Sequence, residues 1–474
     1  MGTIRRNLMS PNVKKWLKFT VRWGIAVVGI TYVVMQIRLR DRVWMFDPNK
    51  AAPPDWATLT DAAAQDQQAF FDVAGRSEPV PRDQTANKPD RKQVLLETSG
   101  GPTPVALWGL DLQGDLNKNP TAAEVLVQDP ATHKPVWHPV GDIVGGYDVH
   151  VPYPRVDVGL NRMVRNARAV FLWLALLIFP VTFVLTAYRW HELLIPLDIH
   201  IGWARTFVLT MVGAFYNTFM PGSTGGDVLK AYYVSKVTPH RTRSVMSVFI
   251  DRVIGLIALI ILGGAMAATQ WGNAECRKIA IVSALVIGCC ALGLLVFYNR
   301  ALHKLSGLDF IIKRLPMQKQ VQNAVQVMEI YRARPLLVLW ALMVTFPVHA
   351  TVVTSAMLAG LAFGLPLPWH YYWAIVPVIV LVGSIPISPQ GAGVMEYFAI
   401  KLTETRGATV SQAFALTMSI RMVQIIWNLA GGLFVLRGGF HAPTDVEKKE
   451  LDNMPPEDES DNGDAPRQRE LVPV

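Results

Sequence analysis

Six ionisable side chains, Asp227, Lys230, Asp251, Arg252, Glu396 and Arg421, stand within or beside stretches apolar enough to enter a membrane. A charge left alone at the centre of a span costs about 2.5–3.5 kcal/mol on insertion scales, so such groups pair or line a wet cavity. Three chemistries are open to them. Around a cavity they would receive the polar head group of a lipid. As general bases or metal ligands, Asp227, Asp251 and Glu396 would act on a lipid-linked substrate, as in a polyprenyl-phosphate glycosyltransferase. As structural groups, Asp251 and Arg252 would anchor a span at the interface while Glu396 and Arg421 hold a bundle together.

The segments around these charges favour the cavity. Residues 215–230 read FYNTFMPGSTGGDVLK and place Asn217, Pro221, Gly222, Gly225 and Gly226 before Asp227 and Lys230. Residues 385–398, IPISPQGAGVMEYF, have the same ingredients, with Pro386, Pro389, Gly391 and Gly393 before Glu396. Lipid supplies no water to satisfy a broken backbone, so a Pro-Gly break between apolar segments belongs where protein or water surrounds it. Plain helix kinks are the simpler reading of the same residues. Two breaks in one chain point to a transporter-like core in which half-helices meet at a site. Asp227, after two glycines and before an apolar run, is placed to cap a helix. The amides of such an amino terminus suit an anionic group, for instance a lipid phosphate.

Composition fixes the kind of scaffold that must hold these residues. The chain has 474 residues, 51% hydrophobic and 17% charged, with a mean hydropathy of +0.27, as suits a polytopic membrane protein carrying soluble mass. The net charge of +9 invites a nucleic-acid reading, but Arg5, Arg6, Lys14, Lys15, Lys18 and Arg22 crowd the amino terminus, and other basic residues flank apolar segments. That distribution marks cytoplasmic flanks and lacks the aromatic interleaving of a nucleic-acid groove, so nucleic acid is excluded as a partner. Cys276, Cys289 and Cys290 form no disulfide or metal pattern, and His133 and His138 form no ligand pattern. His349, alone in a span, suits a hydrogen bond inside the bundle. No cofactor is expected: STGGD lacks the Gly-Lys-Ser/Thr of a phosphate loop, so net transport would draw on an ion gradient.

Taken in order, residues 23–37 are apolar, follow a basic segment and lack a small-residue cleavage site, which predicts an uncleaved signal anchor. Residues 47–160 form a soluble insert, a Pro-rich linker and then short alternating pieces at 93–96, 105–110, 124–127 and 147–151 that predict a small β-rich unit. It serves as a spacer or offers a surface to an extracytosolic partner. Residues 170–187 span, and Tyr188, Arg189, Trp190 and His191 behind them read as an interfacial anchor. Residues 207–234, broken at 221–226, make a re-entrant hairpin; 245–269 and 279–298 span. Residues 301–334 predict an amphipathic helix on an anionic membrane surface, a calmodulin-like target being the sharper alternative. Residues 336–360 span, 371–401 form a second hairpin entered from the opposite side, and 414–436 span and end at Arg437. Each hairpin lies between spans of opposite direction, which is an inverted-repeat arrangement resting on topology, because the halves share little sequence identity.

Three motifs in this order, NTFMPGSTGGDVLK at 217–230, SVFIDRVIG at 247–255 and SIPISPQGAGVME at 384–396, resemble the lysylphosphatidylglycerol synthase transmembrane-region family of flippase-like membrane proteins. The resemblance covers about residues 164–436. It implies movement of a charged phospholipid between leaflets, with Asn217, Pro221, Gly222, Gly225, Gly226, Asp227, Asp251, Arg252, Pro389, Gly391, Gly393 and Glu396 as the shared core. Some members carry a soluble aminoacyl-transferase domain after the membrane region. Here an acidic tail, residues 438–474, follows instead, so the resemblance does not imply that enzyme activity, and the insert exceeds the short loop expected.

The expectation is therefore an all-α polytopic membrane protein with about six full spans, two opposed re-entrant hairpins and a small β-rich extracytosolic insert. Residues 1–46 would hold the anchor, 47–160 the insert, 161–437 the flippase-like domain and 438–474 a disordered tail. Both termini would be cytoplasmic, in a bacterial plasma membrane. The partners would be membrane lipids with a phospholipid or lipid-linked head group.

Overall fold

The computed structural model describes residues 31, 35, 39–53, 55–59, 68–73, 76–81, 84–89, 91–113, 121–147, 156–157, 159–219, 225–236, 238, 241–298, 318–385, 389–404, 406, 408–437 and 440. The signal-anchor segment at 23–37 lies outside them, residues 31 and 35 aside.

Two antiparallel sheets precede the main helical region. One contains β1 (Arg42–Met45), β2 (Asp55–Leu59), β3 (Gln68–Val73), β4 (Arg76–Pro81), β5 (Thr85–Ala86) and β10 (Val156–Asp157). The other runs in order through β6 (Gln93–Thr98), β7 (Gly101–Gln113), β8 (Thr121–Gln128) and β9 (Pro135–Pro139). Strand β6 shows why: Val94 and Leu96 are buried while Gln93, Leu95 and Glu97 are exposed, the two-residue period of a half-covered sheet. The strand expected at 147–151 differs. Tyr147, its one described residue, lies in no strand and is buried in the core beside Ile143.

The ends of this β-rich region meet. Strand β1 pairs with β10, and Arg42 Nε donates to Asp157 Oδ2 at 2.7 Å. Next to it, buried Asp41 accepts the Gly159 amide at 2.7 Å and Arg162 Nη1 at 2.8 Å. A Cβ on Gly159 would lie 2.4 Å from the Arg40 carbonyl carbon, so only glycine lets the outgoing chain pass this close to the incoming one.

The helical region comprises α1 (Leu160–Arg165), α2 (Ala169–Ile178), α3 (Pro180–Leu194), α4 (Trp203–Phe219), α5 (Gly225–Ser235), α6 (Arg241–Ala268) and α7 (Ala274–Tyr298). It continues with α8 (Gln318–Arg332), α9 (Pro335–Ala362), α10 (Trp369–Ser384), α11 (Val394–Glu404), α12 (Val410–Ala430) and α13 (Gly432–Leu436). Among the described residues, five stretches are long and apolar enough to cross a membrane: Ala169–Leu197, Thr242–Ala268, Ala274–Val296, Pro335–Ala362 and Val410–Leu436. They coincide with the five spans expected after the insert. The first runs through α2 and α3 because Pro180 stands at the first position of α3, and Phe179 before it keeps helical angles. Helix α12 starts at a capping box in which Thr409 accepts the Gln412 amide and Gln412 Oε1 accepts the Thr409 amide.

Two expectations need correction. Arg189 and Trp190 are not an interfacial anchor: they are 4% and 1% exposed, inside the bundle. Of the amphipathic segment at 301–334, residues 301–317 lie outside the described residues. Helix α8 turns its apolar face to protein, with Val327 and Tyr331 buried and the Tyr331 hydroxyl donating to the Leu193 carbonyl. Burial, and secondarily the charge of Asp251, pushes that phenol's pKa up.

Candidate functional site

Helices α4 and α5 flank the first break. Pro221 and Gly222 lie outside the described residues, and the helix resumes at Gly225, so Gly225, Gly226 and Asp227 are helical and do not belong to the break itself. Gly226 is required by packing: a Cβ there would fall 1.8 Å from the Gly213 carbonyl oxygen on α4. The cap of α5 comes from Asn217, whose Oδ1 accepts the Gly226 amide at 2.7 Å. Asp227, expected in that role, serves another. Its Oδ2 accepts a hydrogen bond from Arg252 Nε, and its Oδ1 stands 3.9 Å from Lys230 Nζ. Lys230 is buried, with its ammonium 5.2 Å from the centre of the Trp190 ring.

Asp251 and Arg252 are neighbours on α6 and, about 100° apart around the helix, face different partners. Asp251 faces Arg189: Nε donates to Oδ1 at 2.8 Å and Nη2 stands 2.7 Å from the same oxygen. Arg189 Nη1 also donates to Thr345 Oγ1 on α9 at 2.7 Å. These residues therefore join three helices in one buried polar network. One turn further along α6, the Gly255 carbonyl lies 2.8 Å from His349 Nε2, which gives that histidine its bundle-facing hydrogen bond.

The second break follows α10. Pro386 lies outside the described residues; Pro389–Gly391 form a short 3-10 turn. Gln390, Gly391 and Gly393 have φ of 48°, 68° and 83°, the left-handed region that costs a non-glycine residue such as Gln390. Gly391 also touches α10, where a Cβ would come 2.5 Å from Gly383 Cα. Glu396, 2% exposed, bends back so that Oε2 accepts the Gly393 amide at 2.7 Å. Its Oε1 stands 2.7 Å from Arg421 Nη2, an ion-pair distance without hydrogen-bond alignment.

The end of α4, before the first break, and the second break come together at Thr218. Gln390 Nε2 reaches the Thr218 carbonyl at 3.4 Å, and Asn428 Nδ2 on α12 donates to the Thr218 hydroxyl at 3.0 Å. The two sides also share a plan. Helices α5 and α11 each have 11 residues, and the acid is the third residue of each. In both halves the paired arginine follows the acid by 25 residues, on the next span, so Asp227 with Arg252 recurs 169 positions later as Glu396 with Arg421. Each closing span leans on the other half's broken helix, α6 on α10 and α12 on α4.

Of the six charges picked out in the sequence, five thus join the two ion-paired acids or border them directly, and Asp251 anchors the neighbouring Arg189 network. Sequence reasoning missed Arg189, Thr218, Thr345, Gln390 and Asn428 as parts of the arrangement. The acid-plus-25 recurrence is the signal that links the halves. A groove of about 550 Å³ lies elsewhere, lined by Ala268, Trp271, Ala284, Gly288 and other apolar residues of and beside α6 and α7, with no ionisable carboxylate, amine or guanidinium in its wall.

Comparison with known proteins agrees with this architecture. The family model of the lysylphosphatidylglycerol synthase TM region matches residues 157–432. A UPF0104 membrane protein of Pyrococcus horikoshii is similar, 21% identical over a 307-position alignment that covers 59% of this chain and 91% of that protein. Matched over more than half its length, the chain belongs to the lysylphosphatidylglycerol synthase transmembrane-region family.

Proposed function

We propose that the protein moves a polar-headed lipid between leaflets, the head group passing between the two helix breaks while the acyl chains stay in the bilayer. The observation that carries this reading is the meeting of the end of α4 with the second break at Thr218, with an acid–arginine pair on either side, inside apolar helices. Polar groups and irregular backbone at membrane depth are tolerated where they line a path or are buried in protein. A head group crossing the bilayer needs such a path. The repeated plan supports two halves that rock against each other, with access alternating between faces. On this reading the two breaks are re-entrant, entered from opposite sides, and the β-rich insert lies outside the cytosol.

Reconstituted full-length protein tests it. Labelled phosphatidylglycerol should appear in the opposite leaflet unchanged in mass, and Asp227→Ala or Glu396→Ala should abolish the movement. A new covalent product without translocation would replace transport by enzymatic action on the lipid. Single cysteines at Ser223 and Gln390 should label from opposite faces; labelling of both from one face overturns the opposed arrangement.

A further inference from the structure

Asp227 and Glu396 occupy equivalent positions in unequal charge environments. Asp227 is shared between two cations, Arg252 and Lys230. The position corresponding to Lys230 in the second half is Ala399, and among the described residues Arg421 is the one ion-pair partner of Glu396. The side chains of that pair are 3% and 12% exposed. Arg421 Nε is buried without a hydrogen-bond partner among the described residues, and Nη2, at 2.7 Å from Glu396 Oε1, is not aligned for one, although a buried donor is normally satisfied. Those two nitrogens form the side-on fork of the guanidinium, the edge that binds two oxygens of a carboxylate or phosphate.

Among the described residues, no other ionisable side chain stands at ion-pair distance from Glu396 or Arg421. On the elements packed against α12, His349 of α9 is taken up by the Gly255 carbonyl, Tyr216 of α4 donates to the Phe440 carbonyl, and Arg205 lies in the first turn of α4. Helix α11 packs against α10 and α12. Helix α12 carries Arg421 as its one charged side chain. Helix α10 carries His370, Tyr371 and Tyr372 in its first turn, far along the helix from the break, and the Tyr371 hydroxyl is donated to the Leu402 carbonyl at 2.6 Å. On α11 itself Lys401 and Glu404 are exposed and stand 3.7 Å from each other, and Tyr397 is exposed.

We propose that Glu396 and Arg421 form a proton-linked anion site: an anionic phosphodiester takes the Arg421 fork as a proton neutralises Glu396. This deepens the lipid-translocating reading and rests on it. The balance is simple. One proton leaves the solvent and forms an O–H bond on the Glu396 carboxyl, the carboxylate gives up its place at the guanidinium, and the diester takes it. The site is neutral before and after, so no buried charge is left uncompensated at either stage. The first half cannot do the same, because a proton on Asp227 would leave Arg252 and Lys230 facing each other.

Because linkage is reciprocal, anion binding should draw in a proton and acid should tighten anion binding. Full-length protein in detergent and weak buffer should take up about one proton on saturation with dihexanoylphosphatidylglycerol, with affinity rising by up to about tenfold per unit fall in pH. A parallel titration with water-soluble glycerophosphoglycerol separates the sources: uptake with both assigns the site to the diester, uptake with the lipid alone to the lipid. Glu396→Gln should lose the uptake and Glu396→Asp, which keeps a titrating group, should restore it. No uptake in the unaltered protein with either compound, or equal uptake in Glu396→Gln, overturns the proposal. Lipid movement in vesicles is a separate readout. Movement without uptake removes the proton link and leaves transport standing, and uptake without movement does the reverse.

Discussion

The first break is fastened chiefly by side chains and the second chiefly by backbone. At the first, Asn217 reaches across to cap α5, Gly226 lies against Gly213, and two cations hold Asp227. At the second, a left-handed stretch through Gln390, Gly391 and Gly393 turns the chain, and Glu396 captures the amide three residues before it. The same order of helices and the same spacing of acid and arginine are thus reached through different local chemistry. Repeating a scaffold does not require repeating its residues, provided each half buries no uncompensated charge.

The largest test of that contrast concerns Arg189 and Asp251, whose equivalents in the second half are the apolar Leu358 and Ile420. Arg189→Ala or Asp251→Ala strands a buried charge and should cost about 3–5 kcal/mol in detergent unfolding. The double exchange Arg189→Leu with Asp251→Ile, which copies the second half, should recover most of that loss. If the double variant falls as far as either single one, the network does more than satisfy its own charges.

Gly226→Ala comes next. Its methyl would enter the Gly213 carbonyl, so α4 and α5 must part, at about 1–3 kcal/mol or more. The corresponding residue in the second half is Met395, buried against Gly383 and Gly391, where the small residues are on the opposite side of the contact. Met395→Ala should therefore open a cavity and cost about 2–5 kcal/mol if the site does not collapse. Equal and negligible losses at the two positions would mean that neither helix–break contact is close-packed in solution.

Smaller in stability but sharper in charge is Lys230→Ala, which reproduces Ala399 and leaves Asp227 with Arg252. Loss of the Trp190 contact should cost about 0.5–2 kcal/mol. The variant should also gain a second proton-linked step, while Ala399→Lys should suppress the one at Glu396. Proton uptake measured for both variants decides this, and unchanged uptake in the pair would refute the role given to the second cation.

Much of this could be read from the chain. Hydropathy located five spans, and Pro-Gly clusters beside acids located both breaks, since lipid penalises broken backbone and lone charge strongly enough to mark the sequence. Partner choice was not legible. Tyr188 to His191 look like an interfacial anchor because aromatic and basic residues end an apolar run, yet while Tyr188 is exposed, a 100° turn of the helix per residue carries Arg189 inward to Asp251. Asp227 looks like a cap because the glycines before it resemble a turn, whereas those glycines open α5 and Gly226 lets it approach α4. Sequence identity hides the plan the two halves share. The 25-residue interval between acid and arginine reveals it, because a helix length and a loop length together fix that distance.

The clasp of Asp41 on the Gly159 amide has a consequence for how the insert relates to its carrier. The chain leaves and re-enters at one place, with β1 and β10 lying side by side, so the β-rich region is a detour on the polypeptide's route. A detour can be lengthened, exchanged or grafted onto another protein through a single seam. Force applied to it would also be delivered at that seam, through Arg162 into α1.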